Sequence, residues 1–181
     1  MKESRIVSKD FTSVGSVEIL DLADIKEHLY IDSGNTSFDS RLNNLNTEVR
    51  EYLEQITGRS LIDKTVTVLM LYNSSFNLPF PPLVSFDSAS LKTNINEYEV
   101  LTLNEDYEVE MARFRSFIGD GQFKLIYDVG YTANTLPAGL KLAWLNEIAK
   151  RFEHRGEEVE LLGQTHLNDL VNNNKDLEWV M

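Results

Sequence analysis

Hydrophobic and polar positions change rhythm several times along this chain, and each change marks an element. Leu140, Trp144, Ile148 and Phe152 recur at every fourth position, with Leu145 and Ala149 widening the stripe. That spacing is one face of a helix. Pro137 opens it, at a position where the missing N–H is not needed, and Lys150, Arg151, His154 and Arg155 crowd its end before Gly156. The pattern predicts a helix over 137–155. An earlier stripe, Phe38, Leu42, Leu45, Val49, Leu53 and Ile56, predicts a second over 37–57, capped by Thr36 or Ser37 and closed by Gly58. A shorter helix, 21–30, starts at the N-capping Asp21 and sets Leu22, Ile25 and Leu29 on one side.

Between residues 61 and 129 the period falls to two. Lys64–Tyr72 (KTVTVLMLY), Leu83–Leu91, Tyr98–Leu103, Tyr107–Met111 and Phe123–Val129 read as strands. In Tyr107–Met111 the apolar Tyr107, Val109 and Met111 alternate with Glu108 and Glu110, as on a half-buried strand. Pro79, Pro81 and Pro82 exclude a central strand and predict a stiff, extended lead-in to the Leu83 strand. Gly119–Asp120–Gly121 reads as a hairpin turn with two positions open to positive φ. Near the start, Ile6, Val7 and Phe11 predict an edge strand. The fold class is therefore α+β: a helical bundle, two N-terminal helices and one long helix in the C-terminal half, with a β-rich antiparallel insertion at 61–129. Residues 1–17 are expected to be an extension, 18–158 the folded domain, and 159–181 a tail.

Composition narrows the function classes. The 181 residues suffice for a real core, and 42% apolar with 25% charged content is ordinary for a globular protein. No apolar run approaches a membrane span, and Met1–Asp10 lacks the apolar centre of a signal peptide. With no cysteine, disulfides and thiolate sites are excluded. Seventeen basic against 29 acidic residues give a formal charge of −12, which argues against tight phosphate binding.

The search for chemistry finds little. His28, His154 and His166 share no metal-ligand spacing. Ile31–Thr36 lacks the D-x-D-x-D-G spacing of a calcium loop and reads as a turn. No G-x-S-x-G elbow or S-x-x-K motif occurs. Glu97, Glu99, Glu105, Asp106, Glu108 and Glu110 are the one dense carboxylate cluster. They suggest either paired acids of a hydrolase or the solvated side of a strand. No cofactor is expected. The tail is acidic and asparagine-rich, and its terminal Leu177, Trp179 and Val180 either fold back onto the chain's own core or dock on another chain.

Taken in order, KEHLYID, YLEQITGRSL, KTVTV, LPFPPLVS, NEDYEVE, LIYDVGY and LPAGLKLAWLNEIAKRFEHR form a series over Val17–Glu158. This series resembles the bacteriophage head–tail connector proteins, the head-completion adaptors. The resemblance implies a non-enzymatic virion protein, made in the host cytoplasm and placed at the head–tail junction. It implies a ring of self-associating copies, typically twelve, under a portal protein and above a stopper or tail protein. Genomic DNA would pass through without specific binding, and no membrane is involved. It also implies that the C-terminal segment grips the portal, here through Leu167, Leu170, Leu177, Trp179, Val180 and Met181.

Physical chemistry adds an expectation to that reading. An acidic channel wall repels the duplex and suppresses counterion-release binding, so DNA slides. Glu157, Glu158 and Glu160, or Glu105, Glu108 and Glu110, are the candidates for such a band. Two competing readings stand beside it: a carboxylate-dependent hydrolase built on Glu97–Glu110, and a generic acidic protein-binding module.

Overall fold

The computed structural model describes residues 5–12, 18–72, 75–95 and 97–154. The chain divides into two units, Glu18–Thr57 with Thr132–Met181 and Met1–Val17 with Gly58–Tyr131. The first is helical and the second is built of antiparallel sheets, so the class is mixed α+β.

The helical unit contains α1 (Leu22–His28), α2 (Asp39–Thr57) and α3 (Ala138–Glu153). Asp21 caps α1, its Oδ1 accepting the Asp24 N–H at 2.7 Å, which satisfies one of the unpaired donors of the first turn. Helix α1 stops at His28, two residues short of the expected end, because Leu29 leaves helical geometry and Tyr30 adopts a left-handed φ of 55°. The apolar stripes meet in one core of Ile25, Leu42, Leu45, Val49, Leu53, Leu140, Ala143, Trp144 and Ile148, all buried. Each such side chain contributes roughly 1.5–3 kcal/mol on leaving water. Phe38 and Phe152 close one end, edge to face at 5.4 Å between centroids.

Polar groups in this unit are tied by charge. Arg50 is 8% exposed, and its guanidinium meets Glu18 at 3.0 Å and Glu54 at 2.9 Å. Lys26, also buried, pairs with Asp39 at 2.6 Å and donates to the Ser33 carbonyl at 3.3 Å, pinning the 29–38 connection. Arg151 bridges Glu147 at 2.8 Å and Glu48 at 2.6 Å. Burial alone would lower the Arg151 pKa; the Glu147 hydrogen bond and the Glu147 and Glu48 charges outweigh it and raise it.

The β unit holds two sheets. Five strands run in the order β1 (Arg5–Thr12), β2 (Lys64–Tyr72), β8 (Gly121–Val129), β4 (Leu83–Lys92) and β5 (Tyr98–Val100). Three more, β3 (Ser75–Asn77), β7 (Arg113–Ser116) and β6 (Tyr107–Glu110), form the second sheet. The inward positions alternate as a strand requires: Val66, Val68 and Met70 on β2, and Phe123, Leu125, Tyr127 and Val129 on β8. Phe76, Tyr107 and Phe114 of the smaller sheet join the same core. The Tyr127 hydroxyl is buried and donates to the Pro79 carbonyl at 3.0 Å. On the other side of β8, Asp128 accepts from Thr65 at 2.7 Å and Ser85 at 2.8 Å, stitching β2 and β4 to it.

Several local expectations need correcting. Gly119–Gly121 is not a hairpin turn: β7 and β8 lie in different sheets, the segment is a crossover between them, and only Gly119 takes positive φ (94°). The proline-rich stretch is not extended, because Phe80 sits at φ 64° and bends it. The expected Tyr98–Leu103 strand ends at Val100. Met111 does not join the buried side of β6; it and Ala112, at φ 48° and 63°, form the tip between β6 and β7. The strand expected from Ile6, Val7 and Phe11 is β1, at the edge of the larger sheet.

Candidate functional site

The carboxylates of 97–110 serve local structure. Asp106 Oδ2 accepts the Thr102 N–H at 2.8 Å, and Glu97 Oε2 accepts from the Asn94 amide at 2.9 Å. In the β6–β7 register Glu108 lies opposite Arg115 and Glu110 opposite Arg113, and the Glu108–Arg115 pair closes at 3.2 Å. Two arginines therefore stand against two glutamates on this hairpin. Glu105 and Glu110 are exposed and Glu108 is half-buried. The sequence missed β7, whose arginines change the charge of the site; the alternation R-F-R-S at 113–116 was the available signal.

Glu157, Glu158, Glu160, Leu167, Leu170, Leu177, Trp179, Val180 and Met181 lie outside the described residues, as does His166. Of the other histidines, His28 Nε2 is 3.1 Å from Asn146 Oδ1, a contact between α1 and α3. Among the described residues no group of three His, Asp or Glu side chains is placed to hold a metal ion, and no helix is long and apolar enough to cross a membrane. In the 31–36 turn Asp32 Oδ1 accepts the Gly34 N–H at 2.8 Å, so its carboxylate shapes the loop.

What the surface does offer is apolar anchors. Tyr30 is 97% exposed and Met111 95%, and both occupy left-handed backbone positions. On the open edge strand β1, Phe11 is exposed and packs edge-on against Phe80 at 5.0 Å. Lys9 and Lys64 each place an ammonium group 5.7 Å from the Phe11 ring centre.

This architecture has known counterparts. The chain matches one from the neck of an empty gene transfer agent (GTA) particle, computed with C6 symmetry, at a TM-score of 0.74 and 16% identity. That match covers 92% of this chain and 94% of the other. A chain of the virion of the native GTA particle matches at 0.67 and 18% identity, over 90% and 93%. One from the neck of the native particle, computed with C12 symmetry, matches at 0.62 and 15%, over 87% and 93%. No protein-family model matches the chain, and neither does any curated protein. The chain thus has the fold of proteins found in a phage-like particle neck.

Proposed function

We propose that this protein is a structural, non-enzymatic component of a virion neck: a head–tail adaptor that forms a ring under the portal and lines the DNA passage. The supporting observation is end-to-end agreement of the fold with neck chains, over 92% of this chain and 94% of the other. The C6 and C12 symmetry of those assemblies supports a ring of copies, twelve in the full form. Its partners on this reading are the portal above and a stopper or tail protein below, and DNA passes without specific binding. The adaptor domain would be 18–158, with 159–181 gripping the portal through Leu167, Leu170, Leu177, Trp179, Val180 and Met181.

Glu157, Glu158 and Glu160 are the better candidates for an acidic channel band. The alternative set, Glu105, Glu108 and Glu110, faces Arg113 and Arg115 across the hairpin and has less net charge to repel a duplex. The same pairing weighs against a hydrolase, which needs carboxylates directed at a substrate.

The test is to image particles made with and without the gene. The reading expects density for this chain between portal and tail, and tailless heads in the deletion. Normal tailed particles from the deletion would end it.

A further inference from the structure

Tyr30 combines two features that folding alone does not favour. It is the C′ residue of α1, whose end closes as a Schellman motif: the Tyr30 N–H donates to Glu27 O at 3.1 Å and the Ile31 N–H to Lys26 O at 2.9 Å. That position requires φ near +55° and normally holds glycine. The side chain there is an aromatic ring left almost wholly in water. The loop carrying it is held rigidly by buried Lys26, which grips both Asp39 and the Ser33 carbonyl. A strained backbone with an exposed aromatic on a fixed platform is the arrangement of an interface anchor, whose ordering cost is already met.

Charge selects what it docks against. Glu27 and Asp32, on either side of Tyr30, are both exposed, so the complement should be aromatic or apolar with cations beside it. Two exposed surfaces of the β unit pair a cation with an aromatic ring. In one, Arg115 lies 5.8 Å from the Phe117 ring centre, but Glu108 already meets its charge. In the other, Lys9 and Lys64 flank Phe11 on the open edge strand, two ammonium groups for two carboxylates.

Resting on the ring reading above, we propose that Tyr30 of one copy docks on Phe11 of the next copy, with Glu27 and Asp32 facing Lys9 and Lys64. The contact joins two different surfaces of the same chain, so it is head-to-tail, the kind that closes a ring.

The test uses particles assembled from full-length variants. Tyr30→Gly should raise the melting temperature of the isolated chain, because glycine relaxes the left-handed position. It should also cut ring-bearing particles by about tenfold or more, the scale of an aromatic hot spot. Reversing Glu27 and Asp32 to Lys should abolish rings, and adding Lys9→Glu with Lys64→Glu should restore them. Oxidised particles carrying Tyr30→Cys and Phe11→Cys should give a ladder of linked subunits. Rings at the neck without a ladder, with Tyr30→Gly assembling normally and no charge-swap rescue, would overturn the docking and leave the ring reading intact. Failure of the unaltered chain to form a ring would overturn both.

Discussion

The indole N–H of Trp144 donates to the backbone carbonyl of Asn46 across 3.3 Å, linking α3 to a helix 98 residues earlier in the chain. The Asn46 side chain in turn donates to the Leu20 carbonyl at 2.9 Å, so one buried node ties both long helices and the segment leading into α1. Trp144 is fully buried. Trp144→Phe should cost about 1–2 kcal/mol through the lost hydrogen bond and a small void, and Trp144→Ala about 3–5 kcal/mol through a large one. Urea midpoints of the two variants would test the ordering; equal midpoints would mean the ring is not packed as described.

Two glycines with positive φ should answer differently to alanine. At Gly58 (φ 68°) an added Cβ meets nothing within 4 Å, so only the backbone preference is lost, about 1 kcal/mol. At Gly130 (φ 123°) the same carbon would stand 2.1 Å from the Ile62 carbonyl oxygen, and backbone must move. Gly130→Ala should cost more than about 4 kcal/mol or yield insoluble protein. Thermal melts that rank the two equally would contradict this.

Alkaline pH should weaken the β unit. Burial pushes the Tyr127 phenol, and to a smaller extent that of Tyr107, above the ordinary value of 10.0. Below pH 10 both folded and unfolded chains hold these protons and stability is at its full value. Above it the unfolded chain releases protons that the folded chain keeps, so stability falls with slope up to about 1.4 kcal/mol per pH unit per group. Denaturation at pH 9 to 11.5 should show the decline, and Tyr127→Phe should flatten it while losing the Pro79 hydrogen bond at all pH values.

Deleting Leu177–Met181 should leave the melting temperature of the isolated chain unchanged and weaken portal attachment. Twelve copies would multiply even a modest contact through avidity. A marked fall in melting temperature would instead mean that the terminus packs on its own chain.

Reversing Glu157, Glu158 and Glu160 together to Lys should slow DNA packaging or ejection more than Glu108→Lys, whose site already includes two arginines. Equal kinetics in all variants would remove the acidic band from the account.

Much of this architecture was legible from periodicity. The α2 and α3 stripes name their buried faces because a helix with one wet side must repeat its apolar residues near 3.6, although buried Glu147 broke the pattern on α3 and is held there by Arg151. The β6–β7 hairpin was hidden for a physical reason. Its tip is Met111–Ala112 in left-handed geometry, where Asn-Gly or Asp-Gly would have announced a turn. Gly119–Gly121 carried the expected turn residues but joins different sheets, and pairing between distant strands leaves no local mark. The surface anchors were the least readable: Tyr30 looks like one more apolar position after Leu29 until its φ and exposure are known.

The pairing of β1 with β2 also bears on synthesis. As the polypeptide leaves the ribosome, β1 emerges first, yet its partner lies beyond α1 and α2, and that partner's other neighbour, β8, comes later still. The helical core likewise waits for α3, the last described element. Neither unit can close on a nascent chain until most of it has been translated, so folding must run late and fast, over long sequence separations. Stalled or truncated products should be delivered to proteases rather than to growing particles, which keeps incomplete subunits out of assembly.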